Sequence, residues 1–163
     1  MLKRFLCLLV LATGTAHAGS VQLELDIPSL NVAEYHRPYT AIWLEDDSGQ
    51  ARAHLQLWYD GETRWLNELR RWWRRIGRSA TLPADGITGA TRGPGGYTLT
   101  FDDSHPELKA LAAGDYSLVI EVSREVGGRE TVRLPFTWPV TSAGEQSASG
   151  TSELGAVRLV RTP

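Results

Sequence analysis

Arginine and tryptophan crowd into one short stretch of this chain, Trp65–Gly77, which reads WLNELRRWWRRIG. Arg64, Arg70, Arg71, Arg74, Arg75 and Arg78 lie within it or at its ends. Guanidinium groups bind phosphate and carboxylate bidentately, so this density points to anion binding. Like charges three or four residues apart on a helix also repel, by a few tenths of a kcal/mol per pair. An anionic counterpart is therefore expected: acidic strands of the same chain, a phosphate ligand or a membrane headgroup. A few residues on, Asp85-Gly86-Ile87-Thr88-Gly89-Ala90-Thr91 brings together a carboxylate and two hydroxyls, followed by Arg92. The serines form no G-x-S-x-G elbow, so no catalytic nucleophile is expected. His36, His54 and His105 show no metal-ligand spacing, so no metal site is expected. His54 alternates to the polar side of its strand and reads as a surface residue. His105, before Pro106, reads as a turn residue.

The charge balance narrows the partners. The chain has 163 residues and a formal net charge of −2. Residues 1–18, MLKRFLCLLVLATGTAHA, have a basic start, a short apolar core and an A-x-A end at Ala16-His17-Ala18. That is a secretory signal peptide, too short to span a bilayer. Loss of Lys3 and Arg4 with it takes the net charge from −2 to −4. An exported acidic domain is not expected to bind nucleic acid. The single cysteine, Cys7, leaves with the leader, so residues 19–163 have no thiol. The expectation is a periplasmic protein that does not span the membrane, with 19–163 as a single domain.

Strands must position these residues. Val21, Leu23, Leu25 and Ile27 alternate with polar residues, as a half-buried strand does. Tyr39–Glu45 is a second strand. In Arg52–Asp60, Ala53, Leu55, Leu57 and Tyr59 fall on one face. Further strands are expected at Tyr97–Phe101, Tyr116–Val122, Thr131–Trp138 and Ala156–Val160, with Gly127-Gly128 as a hairpin turn. Trp43, Trp58 and Trp138 read as core. Residues 141–152, rich in Ser, Gly and Thr, read as a flexible loop. About seven short strands indicate a mainly β fold, an immunoglobulin-like β-sandwich with a small barrel as the alternative, and one inserted amphipathic helix. In that helix, Trp65, Leu66, Leu69, Trp72, Trp73 and Ile76 fall on one arc, with Arg70, Arg71, Arg74 and Arg75 opposite. Gly77 is its stop. Arg124-Glu125 and Arg129-Glu130 are expected to pair across the hairpin, with little effect on stability.

The Asp85–Thr91 segment fits D-x-x-[ST]-G-A-[ST] and resembles the acceptor sites of the bacterial periplasmic flavin transferase. That family moves FMN from FAD onto a Thr or Ser hydroxyl in a magnesium-dependent reaction. The resemblance implies that Thr91 carries FMN through a phosphoester. An acceptor needs an accessible loop. Gly89 would let the backbone turn, Ala90 would keep bulk away, and Asp85 would be a recognition carboxylate, with Thr88 filling the [ST] position. Arg92, or Arg71 and Arg74 of the basic helix, would compensate the phosphate. Tyr35, His36 and Tyr39 are candidates to stack on the flavin ring or hydrogen-bond to it.

The chain over Val21–Val160 also resembles the predicted periplasmic proteins of the domain of unknown function numbered 2271. The carrying segments are Asn31–Arg37 with Pro38-Tyr39, Ala41–Glu45, Leu57-Trp58-Tyr59, Leu69–Trp73, Asp85–Arg92 and Glu125–Arg129. Members of that family occur beside a flavin transferase and membrane redox proteins. The implied role is a covalent-FMN electron carrier, not an enzyme with its own turnover, whose partners are the transferase and those membrane proteins. The competing reading is an immunoglobulin-like binding module that holds an anionic ligand or partner on its Arg face, without flavin.

Overall fold

The computed structural model describes residues 19–163. The expected signal peptide, residues 1–18, lies outside the described residues. Among the described residues, nine strands form two sheets. The first has the order β5(Gly95–Phe101)-β1(Ser20–Ile27)-β9(Ala156–Thr162)-β8(Gly144–Ser149), all antiparallel. The second has the order β4(Thr88–Ala90)-β3(Ala51–Tyr59)-β2(Tyr39–Glu45)-β6(Gly114–Ser123)-β7(Arg129–Trp138). All its pairings are antiparallel except β4, which runs parallel to β3.

Alternation sets the core. Val21, Leu23, Leu25 and Ile27 of β1 and Val157 and Leu159 of β9 meet Ile42, Leu44, Leu118, Ile120, Val122, Leu134 and Phe136 from the other sheet. Burying a Val, Leu, Ile or Phe side chain stabilises by about 1.5–3 kcal/mol, which lets a thiol-free domain hold together. Every residue of β2 is buried, because the second sheet is covered on both faces. On its outer face Tyr39, Ala41, Trp43, Leu57, Tyr59 and Val119 pack under Leu66, Leu69 and Trp72.

That covering segment is not the single amphipathic helix expected. It is a 3-10 turn, Thr63–Glu68, then one α turn, α1(Arg70–Trp72), then a π turn, Trp73–Gly77. The break is at Leu69, whose ψ of 70° is not helical. It leaves the amides of Arg71 and Trp72 without helical acceptors. The Glu121 carboxylate, buried on β6, accepts both, at 3.0 and 2.7 Å. Trp65, assigned to the apolar face, is 40% exposed and lies under the Arg64 guanidinium. Arg71, assigned to the solvent face, reaches inward to Glu45, which is fully buried. Gly77 does more than stop a helix: a Cβ there would lie 2.6 Å from the rings of Trp72 and Trp73.

Three further expectations are corrected. Residues 141–152 contain strand β8, paired with β9. Its Glu145–Ser149 sequence is polar or small throughout and lies at a sheet edge, so it carries no apolar signal. In β3, a bulge shifts the register between Ile42 and Trp43 and flips the alternation. Ala53, Leu55 and Trp58 therefore face the inner core, while Leu57 and Tyr59 face the outer cluster. The hairpin charges do not pair with each other across the turn. Arg124 forms a buried pair with Glu153, with Nε–Oε2 at 3.0 Å. Glu130 accepts the backbone amides of Thr151, Ser152, Glu153 and Leu154 and so ties down the β8–β9 connection. Burial alone would raise the Glu130 carboxyl, but those amides hold it down at about 2. No helix among the described residues is long and apolar enough to cross a membrane.

Candidate functional site

The segment Ala84–Thr91 is built on a tight turn. The Ala84 carbonyl accepts from the amides of Ile87 and Thr88 and from the Thr88 hydroxyl, the last at 2.9 Å. The Thr88 oxygen accepts in return from the Ala84 amide, at 3.2 Å. A hydroxyl at position 88 thus closes the turn, and Ser or Thr can supply it. Gly86, with φ +73°, makes the left-handed step. Gly89 does not: it lies in β4 opposite Trp58, where a Cβ would approach the indole to 3.4 Å. The expected turning role belongs to Gly86, and Gly89 contributes small size beside Trp58. Asp85 is exposed on the turn and Ala90 is exposed at the end of β4.

The turn is fastened to β3. The Ile87 carbonyl accepts from the Leu57 amide at 2.8 Å and from Gln56 Nε2 at 2.6 Å. From there β4 runs parallel to Leu57–Tyr59 and delivers Thr91 beyond its end. A three-residue strand held by a side chain and a ladder gives Thr91 a fixed exit direction.

Thr91 is half-buried and lines a cavity of about 650 Å³ with Tyr35, Arg37, Arg92, Gly93, Pro94 and Tyr97. Among the described residues nothing hydrogen-bonds its hydroxyl. The Arg92 guanidinium lies over Trp58 at 5.5 Å and over Tyr97 at 5.7 Å. Trp58 and Tyr97 pack edge to face, and the Tyr97 hydroxyl donates to the Gly93 carbonyl at 2.8 Å. These contacts hold a permanent cation beside Thr91 without neutralising it. Arg37 lines the same cavity, its Nε near Gly93.

Tyr35 is the unusual member. Its hydroxyl is buried and has no hydrogen-bond partner. Burial raises the phenol above its ordinary value, against the opposing charge of Arg124, so it stays a neutral donor. Arg124 lies over the Tyr35 ring at 5.9 Å and is itself fixed by Glu153. The buried ion pair thus supports one wall of the cavity.

The other expected site residues lie elsewhere. His36 is held by Glu34 at 2.7 Å and faces Glu125 at 3.7 Å; it does not line this cavity. Tyr39 donates to Asp60 at 2.9 Å within the outer core. Arg71 and Arg74 line a separate cavity over β6 and β7. The strand order puts β4 and β7 at opposite edges of one sheet, four strand spacings or about 19 Å apart. Arg71 has found the acidic-strand partner that was one of three options. Burial would raise the Glu45 carboxyl, but hydrogen bonds from Arg71 and Trp43 and the charge of Arg133 keep it below its ordinary value.

His54 is not a surface residue. It is buried against Trp72, whose indole Nε1 donates to His54 Nε2 at 3.1 Å. Burial and the neighbouring His105 push the imidazole down to about 4. His105 accepts from the Glu107 amide and caps the short helix α2(Pro106–Lys109). Among the described residues no cluster of three or more His, Cys, Asp or Glu is placed to hold a metal.

Comparison with protein families decides the relationship. Residues 20–156 match the family described as predicted periplasmic protein (DUF2271). The chain belongs to that family. It is accordingly a periplasmic protein, consistent with the expected leader. No curated protein and no solved structure matches the chain.

Sequence reasoning missed Arg37, Trp58 and Tyr97 as parts of the site. Arg37 is 54 residues from Thr91 and comes beside it because β2, which it precedes, pairs with β3 and β3 with β4; Tyr97 lies six residues on, in β5. The signal within reach was Arg92 followed by Tyr97 across a glycine-rich turn, a spacing that permits a cation–π contact.

Proposed function

We propose that this protein is a periplasmic electron carrier bearing FMN in phosphoester linkage on Thr91. The observation that carries the reading is the free Thr91 hydroxyl opening on a cavity with two guanidinium groups and an unpartnered phenol. About 650 Å³ is within the range of small-molecule sites. The residues fit the group: Arg37 and Arg92 suit an anionic phosphodiester, Tyr35 offers a hydrogen bond, and the Tyr35 and Tyr97 rings offer apolar walls.

In the loading step a flavin transferase grips the exposed Asp85-Gly86 turn and presents FAD to the half-buried Thr91. Thr91 Oγ forms a bond to the phosphorus of the FMN half, the pyrophosphate P–O bond breaks, and AMP leaves. The hydroxyl proton passes to a base of the transferase or to water. Thr88 and Gly86 hold the turn in shape for this, and Asp85 gives the transferase a carboxylate to grip. The bound FMN supplies one- and two-electron redox chemistry. The task of this chain's residues is then to hold and tune: Arg92, pinned between Trp58 and Tyr97, keeps positive charge at the attachment point. The carrier would pass electrons between membrane redox proteins and an acceptor outside the cytoplasm. Covalent attachment suits that compartment, where a released flavin would be lost.

The test is production with an active periplasmic flavin transferase, followed by a fluorescence scan of a denaturing gel. The wild type and Thr91→Ser should give a fluorescent band and Thr91→Ala none. A wild-type protein that stays dark under these conditions would sink the proposal. Colour released by denaturation would mean a noncovalent flavin instead.

A further inference from the structure

The second cavity, over β6 and β7, has its own chemistry. It measures about 360 Å³ and is lined by Arg70, Arg71, Arg74, Arg129 and Arg133 together with Glu121 and Thr131. Its charges do not balance. Glu45, beneath it, is engaged by Arg71 and by Arg133, the latter at 3.0 Å. Glu121 gives its oxygens to the amides of Arg71 and Trp72, and Arg129 Nε approaches it only to 3.8 Å. Arg70 and Arg74 have no carboxylate partner among the described residues. Five guanidinium groups thus face two carboxylates, both already committed, in a concave pocket. The protein as a whole is acidic, so the local excess is not a general trait of its surface.

We propose that this cavity binds a phosphate group, with Arg70, Arg74 and Arg129 as its ligands and Thr131 as an additional hydroxyl donor. The class follows from the donors. Arginine forks on three separate elements converge on a pocket of one-headgroup size, and bidentate guanidinium pairing matches the oxygens of a phosphate mono- or diester. Arg71 and Arg133 are positioning residues: their pairing with Glu45 fixes the floor. The phosphate comes either from a soluble ion or from an anionic lipid headgroup of the membrane surface. With the headgroup seated here, Thr91, at the far edge of the same sheet, would stay clear for a partner. The site does not depend on the flavin reading.

The purified protein is titrated with inorganic phosphate at constant ionic strength, with chloride as the control, by calorimetry and thermal shift. In parallel it is floated with phosphatidylcholine vesicles, with and without phosphatidylglycerol. Phosphate should bind and raise Tm where chloride does not. Arg70→Gln/Arg74→Gln, both exposed and unpaired, should bind about tenfold more weakly or worse. Arg75→Gln/Arg78→Gln removes the same charge outside the cavity and should bind as the wild type does. Flotation only with phosphatidylglycerol, lost in Arg70→Gln/Arg74→Gln, assigns the lipid as the source. Phosphate binding without flotation assigns a soluble phosphate. If neither probe binds, or the Arg75→Gln/Arg78→Gln control loses as much as the cavity variant, the site does not exist.

Discussion

The buried histidine of β3 gives a pH dependence that can be worked out in advance. His54 lies under Trp72 and accepts its indole N–H, so the folded protein needs a neutral ring. Unfolded, the ring titrates at its ordinary value of 6.5; folded, burial and His105 lower that to about 4. Between these values the unfolded chain binds the extra proton, so stability rises with pH. The contribution is complete above about pH 7 and falls steadily as pH drops toward 4. With these two values, about 2 kcal/mol is lost between pH 7 and 4.5, at close to 1 kcal/mol per pH unit. The carboxylates held low, Glu45, Asp46, Glu130 and Glu145, act in the same direction, but only below about pH 5.5, where the unfolded chain begins to protonate them. The window from pH 5.5 to 7 therefore isolates His54 among the shifted groups. The assay is urea unfolding at half-unit pH steps, for the wild type and His54→Gln. Glutamine keeps an acceptor for the Trp72 N–H but does not titrate. The wild type should lose stability across the window, and the slope should fall to a small fraction in His54→Gln. Equal slopes in the two proteins would refute the reasoning.

Four more outcomes follow. Glu153→Gln leaves Arg124 buried without its counter-charge and should cost about 3 kcal/mol, roughly 10 °C in Tm; the apolar pair Arg124→Met/Glu153→Met should recover most of it, as thermal melts would show. Glu121→Gln removes an acceptor from one of two α1 amides and should cost about 1–2 kcal/mol, with faster hydrogen exchange confined to residues 70–77. Thr88→Ser should load flavin as the wild type does, whereas Thr88→Val loses both hydrogen bonds to Ala84 and should load poorly while Tm falls by only a few degrees, read by flavin-to-protein absorbance and a thermal melt. Arg92→Ala should lower the flavin reduction potential, because a positive charge at the attachment point favours the reduced, more anionic form; potentiometric titration reads this.

The strands of the core were legible because a buried face repeats every second residue, as in Val21–Ile27 and Thr131–Trp138. Two kinds of feature were not. Strand β8 has no apolar face, being a polar edge paired on one side only, so composition made it look like a loop. The bulge in β3 reverses alternation in mid-strand, and with it the sides taken by Leu57 and Trp58. His54 was misplaced because polarity alone assigned it outward; the outer face of that sheet is covered by the tryptophan-rich segment. That segment has helical spacing, yet Leu69 interrupts it, because a carboxylate from β6 caps the next turn in place of a residue of its own. Arg71 turned inward for a related reason: only the tertiary fold puts a buried Glu45 within its reach. Of the candidate site, Asp85–Arg92 was readable as one local unit and Tyr35 as a polar aromatic candidate, while Arg37 and Trp58 join it only through the pairing of β2 with β3 and of β3 with β4.

The central claim is the covalent bond at Thr91, and intact-mass analysis tests it most directly. The protein is made with an active periplasmic flavin transferase and weighed under denaturing conditions, beside Thr91→Ala made in the same way. The account predicts a wild-type mass higher by one FMN less one water, with the adduct on the peptide containing Thr91, and an unmodified mass for the variant. A wild-type protein with no adduct, or an adduct that persists in Thr91→Ala, would contradict it.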